Sequence, residues 1–546
     1  MGQFINSRDT LVTEAIDGFL RGQGGQISRL DGFPHIKVVV RADWKLDQVA
    51  IISGGGSGHE PAHAGFVGKG MLTAAVCGEV FASPSVEAIL SSILAVTGKK
   101  GCLLIVKNYT GDRLNFGLAA EKARACGLNI KMVIVDDDIS LPDDVQARGL
   151  AGTLFIHKIA GFLAEEGKSL DEIFDTTQSL IPLISSIGVS IDNCTVPGML
   201  KDERITEGMA ELGLGIHGEP GRELIAFENA ESIMKIILSH LQSKMNKDQK
   251  YALILNNLGG CTPLEMAVLK GEIAKSDLVS QLALIIGPEM LMTSLDMHGF
   301  SVSILPSSKL VAEALTFPVG PRAWPNPVPL TDPIISDLPK IEPKEDWTPS
   351  ENIELKHILQ KCCLILKEKE QVLNKLDSKI GDGDTGSTLA GAARALAEEL
   401  DRLPLGDTKQ FFEAMGELLS KAMGGSSGVL MAIFFSAAGQ KFDNNLHWSK
   451  ALEAGLNRMM EVGGARIGDR TMIDALAPAL KELNEGKTLF DVAKAARAGA
   501  DATKKMPIAK AGRAAYLSRG ALQNVTDPGA EAVACLFEGL VGEKSG

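Results

Sequence analysis

The sequence contains no stretch rich in lysine and arginine, and its 68 acidic residues outnumber its 55 lysines and arginines. The resulting net charge of −13 at pH 7 repels the phosphates of DNA or RNA, so we expect no nucleic-acid partner. The most apolar helical stretch, residues 429–438, is too short to cross a bilayer. Residues 1–7 are short and polar, unlike a signal peptide. We therefore expect a cytoplasmic protein with no membrane partner.

The cysteines are scattered, and none has the Cys-x-x-Cys spacing of a zinc or redox motif. They are Cys77, Cys102, Cys126, Cys194, Cys261, Cys362, Cys363 and Cys535. Most lie in apolar runs, which predicts reduced core residues of a cytosolic protein, not zinc ligands or disulfides.

Short runs of branched apolar residues alternate with longer amphipathic stretches over about the first 330 residues. This alternation predicts α/β sheets whose ligands gather in the loops beyond the strand ends. Ser83 and Pro84 predict the start of one helix, as its N-cap and first helical residue. The predicted strands are 37–40, 49–52, 102–106, 131–135, 252–255, 282–286 and 302–305.

Prolines cluster between residues 317 and 349, where the periodicity fades. Such a composition forms an extended, semi-rigid linker. Beyond it the chain is rich in Ala, Leu, Glu and Lys and has helical periodicity. The sequence therefore predicts a multidomain protein with an α/β domain at 1–332, a proline-rich linker at 333–349 and an all-helical domain at 350–546.

Three carboxylates, Asp377, Asp382 and Asp384, share one glycine-rich turn ahead of a helical pattern. Carboxylates this close repel one another unless a cation lies between them, and Mg²⁺ binds a few carboxylates together with substrate phosphates. The turn predicts a metal–nucleotide site, with an acidic helix-capping turn as the alternative. An EF-hand is excluded, because Ser387 and Ala393 occupy the positions of its required Gly and Glu.

A glycine-rich stretch at 53–63 directly follows the predicted strand 49–52. It does not match the dinucleotide motif, since Pro61 stands in place of the third glycine, and the stretch 65–70 lacks the Walker A spacing. What remains is a loop that exposes backbone donors and His59 at a strand end. A purely structural histidine is the alternative interpretation.

Two further stretches place polar side chains beside glycines. Lys107 and Asp112 follow the strand 102–106, and residues of this kind are ordinarily helix caps or surface residues. Their topological position, which His59 shares, raises the probability of a ligand-binding role. His217 lies between glycines in a turn with no helix or sheet to pack into, so close approach to a small ligand is favoured.

Three glycine-marked helix starts in the C-terminal part could hold phosphate or ribose on backbone N–H groups. They are residues 424–428, 468–474 and 527–530. If they join the aspartate turn at one end of a helical bundle, they form a nucleotide pocket.

Taken in order, these motifs resemble those of the single-chain dihydroxyacetone kinases. The matching stretches are GGGSGHEPAHAGFVGKGML, KNYTGDRLNFGLA, GIHGEPG, GDGDTGST, MGGSSGVL and GDRTMID. The resemblance runs from about Phe4 to the C-terminus and is poor at 195–206. It implies an N-terminal substrate domain of two α/β lobes, roughly 1–190 and 191–332, and a C-terminal eight-helix barrel that binds Mg–ATP.

The resemblance also implies roles for individual residues in the substrate domain. His217 would bond through an imidazole nitrogen to the substrate carbonyl carbon as a hemiaminal, and His59 would act as an acid or base. Asp112 would help to deprotonate the attacking hydroxyl. The substrate hydroxyls would be held by Lys107, Asp112 and the backbone of Gly54, Gly55 and Gly56.

In the helical domain, the resemblance implies two Mg²⁺ ions bridging the ATP phosphates. Their ligands would be Asp377, Asp382 and Asp384. The nucleotide would be framed by Asp382, Gly383, Asp384, Thr385, Ser387, Thr388, Gly425, Ser426, Ser427, Arg470, Thr471, Met472, Asp527, Pro528 and Gly529.

The implied activity is ATP-dependent phosphorylation of dihydroxyacetone, and of glyceraldehyde, by a homodimer in which one chain's ATP domain faces the other chain's substrate domain. One alternative is a phosphotransferase whose bound ADP is recharged by a phosphoprotein, although its two halves are usually separate chains. Cyclisation of FAD to FMN is a second alternative. A non-catalytic dihydroxyacetone-sensing regulator is a third, but a sensor has no need of metal ligands.

Overall fold

The structure, a computed structural model, describes residues 3–142, 144–339, 347–442 and 447–542. Contacts divide the chain into two compact units, Met1–Ser336 and Asp337–Gly546. The predicted fold class is confirmed, since the first unit is α/β and the second is helical. The domain boundaries stay predictions, and residues 340–346 of the predicted linker lie outside the described residues. Within the described ranges, no helix is long and apolar enough to cross a membrane.

The first six strands of the α/β unit form one sheet. They are β1 Ile27–Arg29, β2 Val38–Arg41, β3 Ala50–Ser57, β4 Ala74–Val80, β5 Cys102–Lys107 and β6 Ile130–Val135. The spatial order is β1-β2-β4-β3-β5-β6, with β4, β3, β5 and β6 parallel. Every residue of β3 and β5 is buried. β3 and β5 therefore lie in the middle of the sheet, and the carboxyl ends of all four parallel strands meet at one edge of it.

The remaining six strands form a second, mixed sheet. They are β7 Ser185–Asp192, β8 Met209–Leu212, β9 Glu223–Ala226, β10 Tyr251–Asn257, β11 Leu282–Glu289 and β12 His298–Pro306. The spatial order is β11-β10-β12-β7-β8-β9, and only β10 and β11 run parallel within it. The loop between β8 and β9 therefore connects the two strands of an antiparallel hairpin.

Eight helices flank these sheets in the described part of the unit. They are α1 Leu11–Arg21, α2 Val86–Val96, α3 Thr110–Ala125, α4 Thr153–Glu165, α5 Leu170–Leu180, α6 Ala230–Gln242, α7 Pro263–Lys275 and α8 Lys309–Thr316. The predicted start of α2 at Ser83 is wrong. The N-cap is Ser85, whose side chain accepts a hydrogen bond from the Ala88 N–H.

The helices of the second unit form a closed ring. They are α9 Ile353–Glu368, α10 Glu370–Asp377, α11 Thr385–Glu399, α12 Thr408–Ala422, α13 Gly425–Lys441, α14 Trp448–Gly463, α15 Ile473–Asn484, α16 Leu489–Thr503, α17 Arg519–Leu522 and α18 Pro528–Val541. From α11 to α16 each helix contacts the next, α16 contacts α18, and α18 returns to α9. Only Lys369 separates α9 from α10, and α17 has four residues. If α9 and α10 are counted together and the short α17 is left out, the ring in the described ranges consists of eight helices.

Limited proteolysis should cut the chain after residue 330 and leave two folded pieces. Trp324 is buried in the core of the α/β unit and Val328 pairs with Ile285, so this part of the proline-rich segment is protected. Residues 331–339 are exposed and have no regular secondary structure, as protease sites require. Mass spectrometry would locate the cut and circular dichroism would test each piece. Resistance to cleavage between 331 and 349 would contradict the predicted linker.

Candidate functional site

The three glycines of β3 allow the strand to lie unusually close to its neighbours. The predicted loop is wrong here, since β3 continues to Ser57 instead of ending at residue 52. A Cβ on Gly54 would lie 2.3 Å from the Val76 carbonyl oxygen, and one on Gly55 would lie 2.7 Å from Lys107 Nζ. Any larger residue would collide. The glycines therefore bring the β3 backbone against the lysine at the end of β5.

His59, just beyond β3, is fully buried and electrically neutral. Its Nδ1 lies 2.8 Å from the Thr293 carbonyl oxygen, which only accepts hydrogen bonds, so Nδ1 carries the proton. Burial, followed by the nearby charge of Lys107, holds the pKa of His59 well below its usual value. Its Nε2 has no hydrogen-bond partner among the described residues. His59 thus offers a buried lone pair to a ligand.

His217, in the loop between β8 and β9, is fixed by Glu219. The Glu219 carboxylate accepts one hydrogen bond from His217 Nδ1 and one from its backbone N–H, each at 2.9 Å. Burial would raise the pKa of Glu219, but these hydrogen bonds outweigh it and lower that pKa to about 2. Because the ionised carboxylate only accepts, Nδ1 carries a proton, and in the neutral imidazole the lone pair is therefore on Nε2.

Three aromatic rings stand around the His217 imidazole. The ring centroids of Tyr109, His59 and Phe81 lie 4.5, 4.8 and 5.2 Å from its own. A cavity of about 320 Å³ opens beside it. The cavity is lined by Gly56, Phe81, Ser83, Tyr109, Thr110, Gly111, Asp112, His217 and Glu219. The structure therefore brings His217, predicted from one motif, together with Asp112 and Gly56, predicted from two others.

Asp112, in the first turn of α3, is buried at 3% exposure. Its Oδ1 has no hydrogen-bond partner in the part of the chain that the structure describes. A buried carboxylate oxygen in this state is costly unless something donates to it. Since Asp112 also lines the cavity, a ligand hydroxyl is a suitable donor.

Lys107 begins a buried polar chain that sequence reasoning missed. Its Nζ lies 2.8 Å from His63 Nε2, and Ser53 Oγ lies 3.5 Å from His63 Nδ1 and 3.1 Å from His157 Nε2. Burial lowers the pKa of Lys107 and lowers that of His157 to about 3. His63 is likewise held neutral, so it can accept from the lysine. These side-chain hydrogen bonds hold the Lys107 amine beside the β3 glycines.

In the helical unit, the three predicted aspartates converge. Oxygens of Asp377, Asp382 and Asp384 all lie within 4.8 Å of one another. Asp377 is buried at the end of α10, and its Oδ2 accepts from the backbone N–H groups of Asp384 and Thr385 at 2.9 and 3.1 Å. These bonds fold the turn so that the carboxylates meet. An all-oxygen donor set of this kind fits Mg²⁺.

The other predicted residues of this turn lie at the beginning of α11. Gly383 has φ +81°, a conformation that favours glycine. Thr385, Ser387 and Thr388 occupy the first turn of the helix. Ser387 is already held there, because its hydroxyl lies 2.9 Å from Asn374 Nδ2 and 3.0 Å from Glu370 Oε1. Its backbone N–H is also used, donating to Asn374 Oδ1.

Each of the three predicted glycine-marked stretches contains the start of a helix, namely α13, α15 and α18. Gly424 is the N-cap of α13, whose first turn contains Gly425, Ser426 and Ser427. Asp527 is the N-cap of α18, ahead of Pro528 and Gly529, and accepts from the Ala530 N–H at 2.8 Å. Burial raises the pKa of Asp527 to about 6. The start of α13 presents backbone N–H groups, as anion sites require, whereas in α18 Pro528 has no N–H and Asp527 takes that of Ala530.

Arg470 precedes the third helix, α15, and its side chain is fully buried. The guanidinium Nη2 donates to the Val525 carbonyl oxygen at 2.7 Å, while Nε and Nη1 have no partner among the described residues. Asp474 folds this loop by accepting from the Thr471 N–H at 2.8 Å. Met472 Cβ would lie 3.2 Å from a Cβ on Gly529. The Arg470 loop and the start of α18 are therefore adjacent.

Sequence reasoning also missed a second cavity, of about 390 Å³, in the helical unit. It is lined by Lys504, Lys505, Met506, Pro507, Gly520, Gln523 and Asn524. The Thr503 hydroxyl, next to this lining, accepts from the Asp527 N–H at 3.0 Å. Lys504 of the lining thus directly follows a residue that is hydrogen-bonded to the N-cap of α18. No glycine-rich motif precedes this cavity in the sequence, and the adjacent Lys504 and Lys505 are the one signal that could have indicated an anion-binding site there.

Comparisons with known proteins cover both units. The Dak1 domain matches residues 19–322 and the DAK2 domain matches residues 379–542. A protein of Citrobacter freundii named dihydroxyacetone kinase is 47% identical over 100% of this chain and 99% of its own. A protein of Homo sapiens named triokinase/FMN cyclase is 40% identical over 92% of this chain and 93% of its own.

A solved structure extends the likeness to three dimensions. It is the crystal structure of the dihydroxyacetone kinase from C. freundii in complex with AMP-PNP and Mg²⁺. Its TM-score is 0.70 at 46% sequence identity, and the match covers 99% of each chain. The sequence likeness therefore extends to the fold of both units.

Proposed function

Because this chain belongs to the dihydroxyacetone kinase family and is a kinase, we propose that it transfers the terminal phosphoryl group of ATP to a hydroxyl of dihydroxyacetone. The product is dihydroxyacetone phosphate. The observation that carries the proposal is the pairing of His217 with Glu219 beside a cavity that Asp112 also lines. A three-carbon ketone offers few atoms for binding, so covalent capture supplies affinity that contact area cannot.

Capture begins with the His217 Nε2 lone pair, which attacks the substrate carbonyl carbon. A nitrogen–carbon bond forms as the carbonyl π bond breaks, and the oxygen takes up one proton to become a hydroxyl. The imidazole releases its Nδ1 proton along the hydrogen bond to Glu219, and this proton balances the one gained by the oxygen, so no net proton is taken up or lost. No water is lost, so the adduct is a hemiaminal. The same addition suits the aldehyde of glyceraldehyde, which we propose as a second substrate.

The buried polar groups around the cavity then orient the substrate hydroxyls. Lys107 Nζ is a donor at the β3 glycines, and Gly54, Gly55 and Gly56 bring the strand backbone within reach. His59 Nε2 and Asp112 Oδ1 are acceptors. Asp112 is placed to take the proton of the hydroxyl that attacks ATP, since proton transfer requires hydrogen-bond contact. These roles of His59 and Asp112 are supported by the absence of a hydrogen-bond partner for either acceptor among the described residues.

The helical unit holds the nucleotide in this proposal. Asp377, Asp382 and Asp384 would ligate two Mg²⁺ ions, and bound Mg²⁺ neutralises charge on the ATP phosphates. The backbone N–H groups that begin α13 would contact phosphate or ribose, and Asp527 at the start of α18 would frame the nucleotide. The unsatisfied guanidinium nitrogens of Arg470 support a nucleotide near that loop. The homodimer implied by the resemblance stays a prediction.

The proposal is tested by supplying the purified chain with ATP, Mg²⁺ and one substrate at a time. We expect ADP to form with dihydroxyacetone and glyceraldehyde, but not with glycerol, which has hydroxyls and no carbonyl for His217 to attack. Coupled detection of ADP measures all three. Equal turnover of glycerol would rule out capture through the carbonyl, and no turnover of any substrate would refute the kinase assignment. The regulator alternative is disfavoured by the converging carboxylates.

A further inference from the structure

Three metal-ligating side chains of different chemistry converge away from the cavity, at one end of β10. Cys261 lies in the loop after β10, Glu265 in the first turn of α7, and His298 at the beginning of β12. Their ligand atoms all lie within 4.8 Å of one another, and Glu265 Oε1 is 2.8 Å from His298 Nε2. We infer that Cys261, Glu265 and His298 form a binding site for a thiophilic divalent cation of the Zn²⁺ class.

The backbone holds Cys261 against β12 before any ion binds. A Cβ on Gly260 would lie 2.8 Å from His298 Cα, so only glycine allows the loop this close. Asn257 fixes the loop on both sides of the cysteine, because its Oδ1 accepts from the Cys261 N–H and its Nδ2 donates to the Cys261 carbonyl oxygen. Two of the three ligands are therefore held in place by backbone contacts rather than by each other.

Glu265 is positioned by a separate structural interaction that leaves one oxygen for the ion. Its Oε2 accepts from the backbone N–H and the hydroxyl of Thr262, forming the capping box of α7. Its Oε1 faces His298 instead. Helix capping therefore explains the position of Oε2 only. The proximity of Oε1 to the His298 imidazole and the Cys261 thiol contributes nothing to the cap.

The donor set selects the class of ion. A thiolate, an imidazole and a carboxylate suit Zn²⁺, whereas Mg²⁺ and Ca²⁺ prefer oxygen alone. The side chains of His298 and Glu265 are 35% and 42% exposed, so an ion can enter from solvent and keep a water as its fourth ligand.

Binding must release the thiol proton, which is currently donated to the Gly299 carbonyl oxygen. The thiolate sulfur then bonds to the metal, as do one imidazole nitrogen and Glu265 Oε1, and no electron is transferred. The expectation from sequence that no cysteine is a zinc ligand is thereby revised for Cys261 alone. The site could not be found from a Cys-x-x-Cys motif, because its three ligands come from separate elements of the fold.

Cobalt titration of the metal-free full-length protein tests the site. Excess Mg²⁺ is present throughout, so that the aspartate turn of the helical unit, which contains no sulfur, does not contribute. We expect a thiolate-to-cobalt charge-transfer band in the near ultraviolet, which added Zn²⁺ abolishes. Cys261→Ser should remove the band, while Cys126→Ser, at an exposed cysteine, should leave it unchanged.

Two further variants separate ligation from folding. Glu265→Gln keeps a residue that also completes a capping box, and His298→Ala changes a part-exposed side chain. Each should weaken Zn²⁺ binding, measured by competition with a chromophoric chelator, by more than about tenfold, the loss seen for outer-shell partners. Unchanged circular dichroism shows that they fold. Absence of the band in wild type, its persistence in Cys261→Ser, or unchanged Zn²⁺ affinity in folded Glu265→Gln and His298→Ala would each overturn the site.

Discussion

Asp384→Asn should lower the rate of dihydroxyacetone phosphorylation by roughly two to three orders of magnitude while leaving the helical unit folded. The substitution removes one of three converging carboxylate charges. Loss of one preorganised electrostatic contact typically costs about 3–4 kcal/mol in the transition state. Asp384 is also the N-cap residue of α11, but its side chain makes no capping hydrogen bond to that helix, so stability should change little. Steady-state kinetics and a thermal melt measure the two effects.

Asp407→Asn is the matched control. Asp407 is the N-cap of α12, another aspartate at a helix start in the same unit, and its side chain accepts from the Gln410 N–H. Changing it removes the same charge without touching the turn, so activity should stay near wild type. In Asp384→Asn, raising the Mg²⁺ concentration should restore part of the lost rate, because the weakened site fills at higher metal. Wild-type turnover at ordinary Mg²⁺ would refute the metal assignment.

Much of the fold was predictable because parallel strands of branched apolar residues leave a plain signal. All seven predicted strands are present, for example β5 at Cys102–Lys107. The missed strands have a different composition. β4 contains Ala, Cys and Gly, and β7 contains three serines and a glycine, yet both are largely buried. Small and hydroxylated residues fit these crowded positions, but they do not mark a strand in the sequence.

The position of the site was predictable from topology only in part. His59 lies just beyond β3 and Lys107 is the last residue of β5. These strands are adjacent and parallel, so the proximity of the two residues follows from the strand order. His217 lies in an antiparallel hairpin of the other sheet, and no local rule joins that loop to β3. That His217 belongs to the same site as His59 and Lys107 was therefore predicted from the family resemblance alone. His157 lies inside the buried helix α4, where it looks like any core residue until the tertiary structure places it beside Ser53.

Incubating the full-length chain with dihydroxyacetone should raise its intact mass by one whole ketone, and borohydride should not fix the adduct. Lysine would condense with the ketone to an imine, losing water and becoming reducible. An imidazole nitrogen has no second proton to lose after addition, so the product stops at the hemiaminal. Lys107 should remain unmodified, because its buried Nζ lies 2.8 Å from His63 Nε2.

His217→Ala should abolish this mass increase, since no other imidazole nitrogen in the cavity has Glu219 to accept the proton of its ring. Weak kinase activity should survive, because Asp112 and the aspartate turn are intact. His240→Ala is the control: this histidine lies near the end of α6, with its Nδ1 at 2.9 Å from the Ile236 carbonyl oxygen, and the adduct should form normally. Peptide mapping of the native adduct would place it on His217. A borohydride-stable adduct on Lys107, or an unchanged adduct in His217→Ala, would exclude capture by this histidine and leave the amine as the anchor.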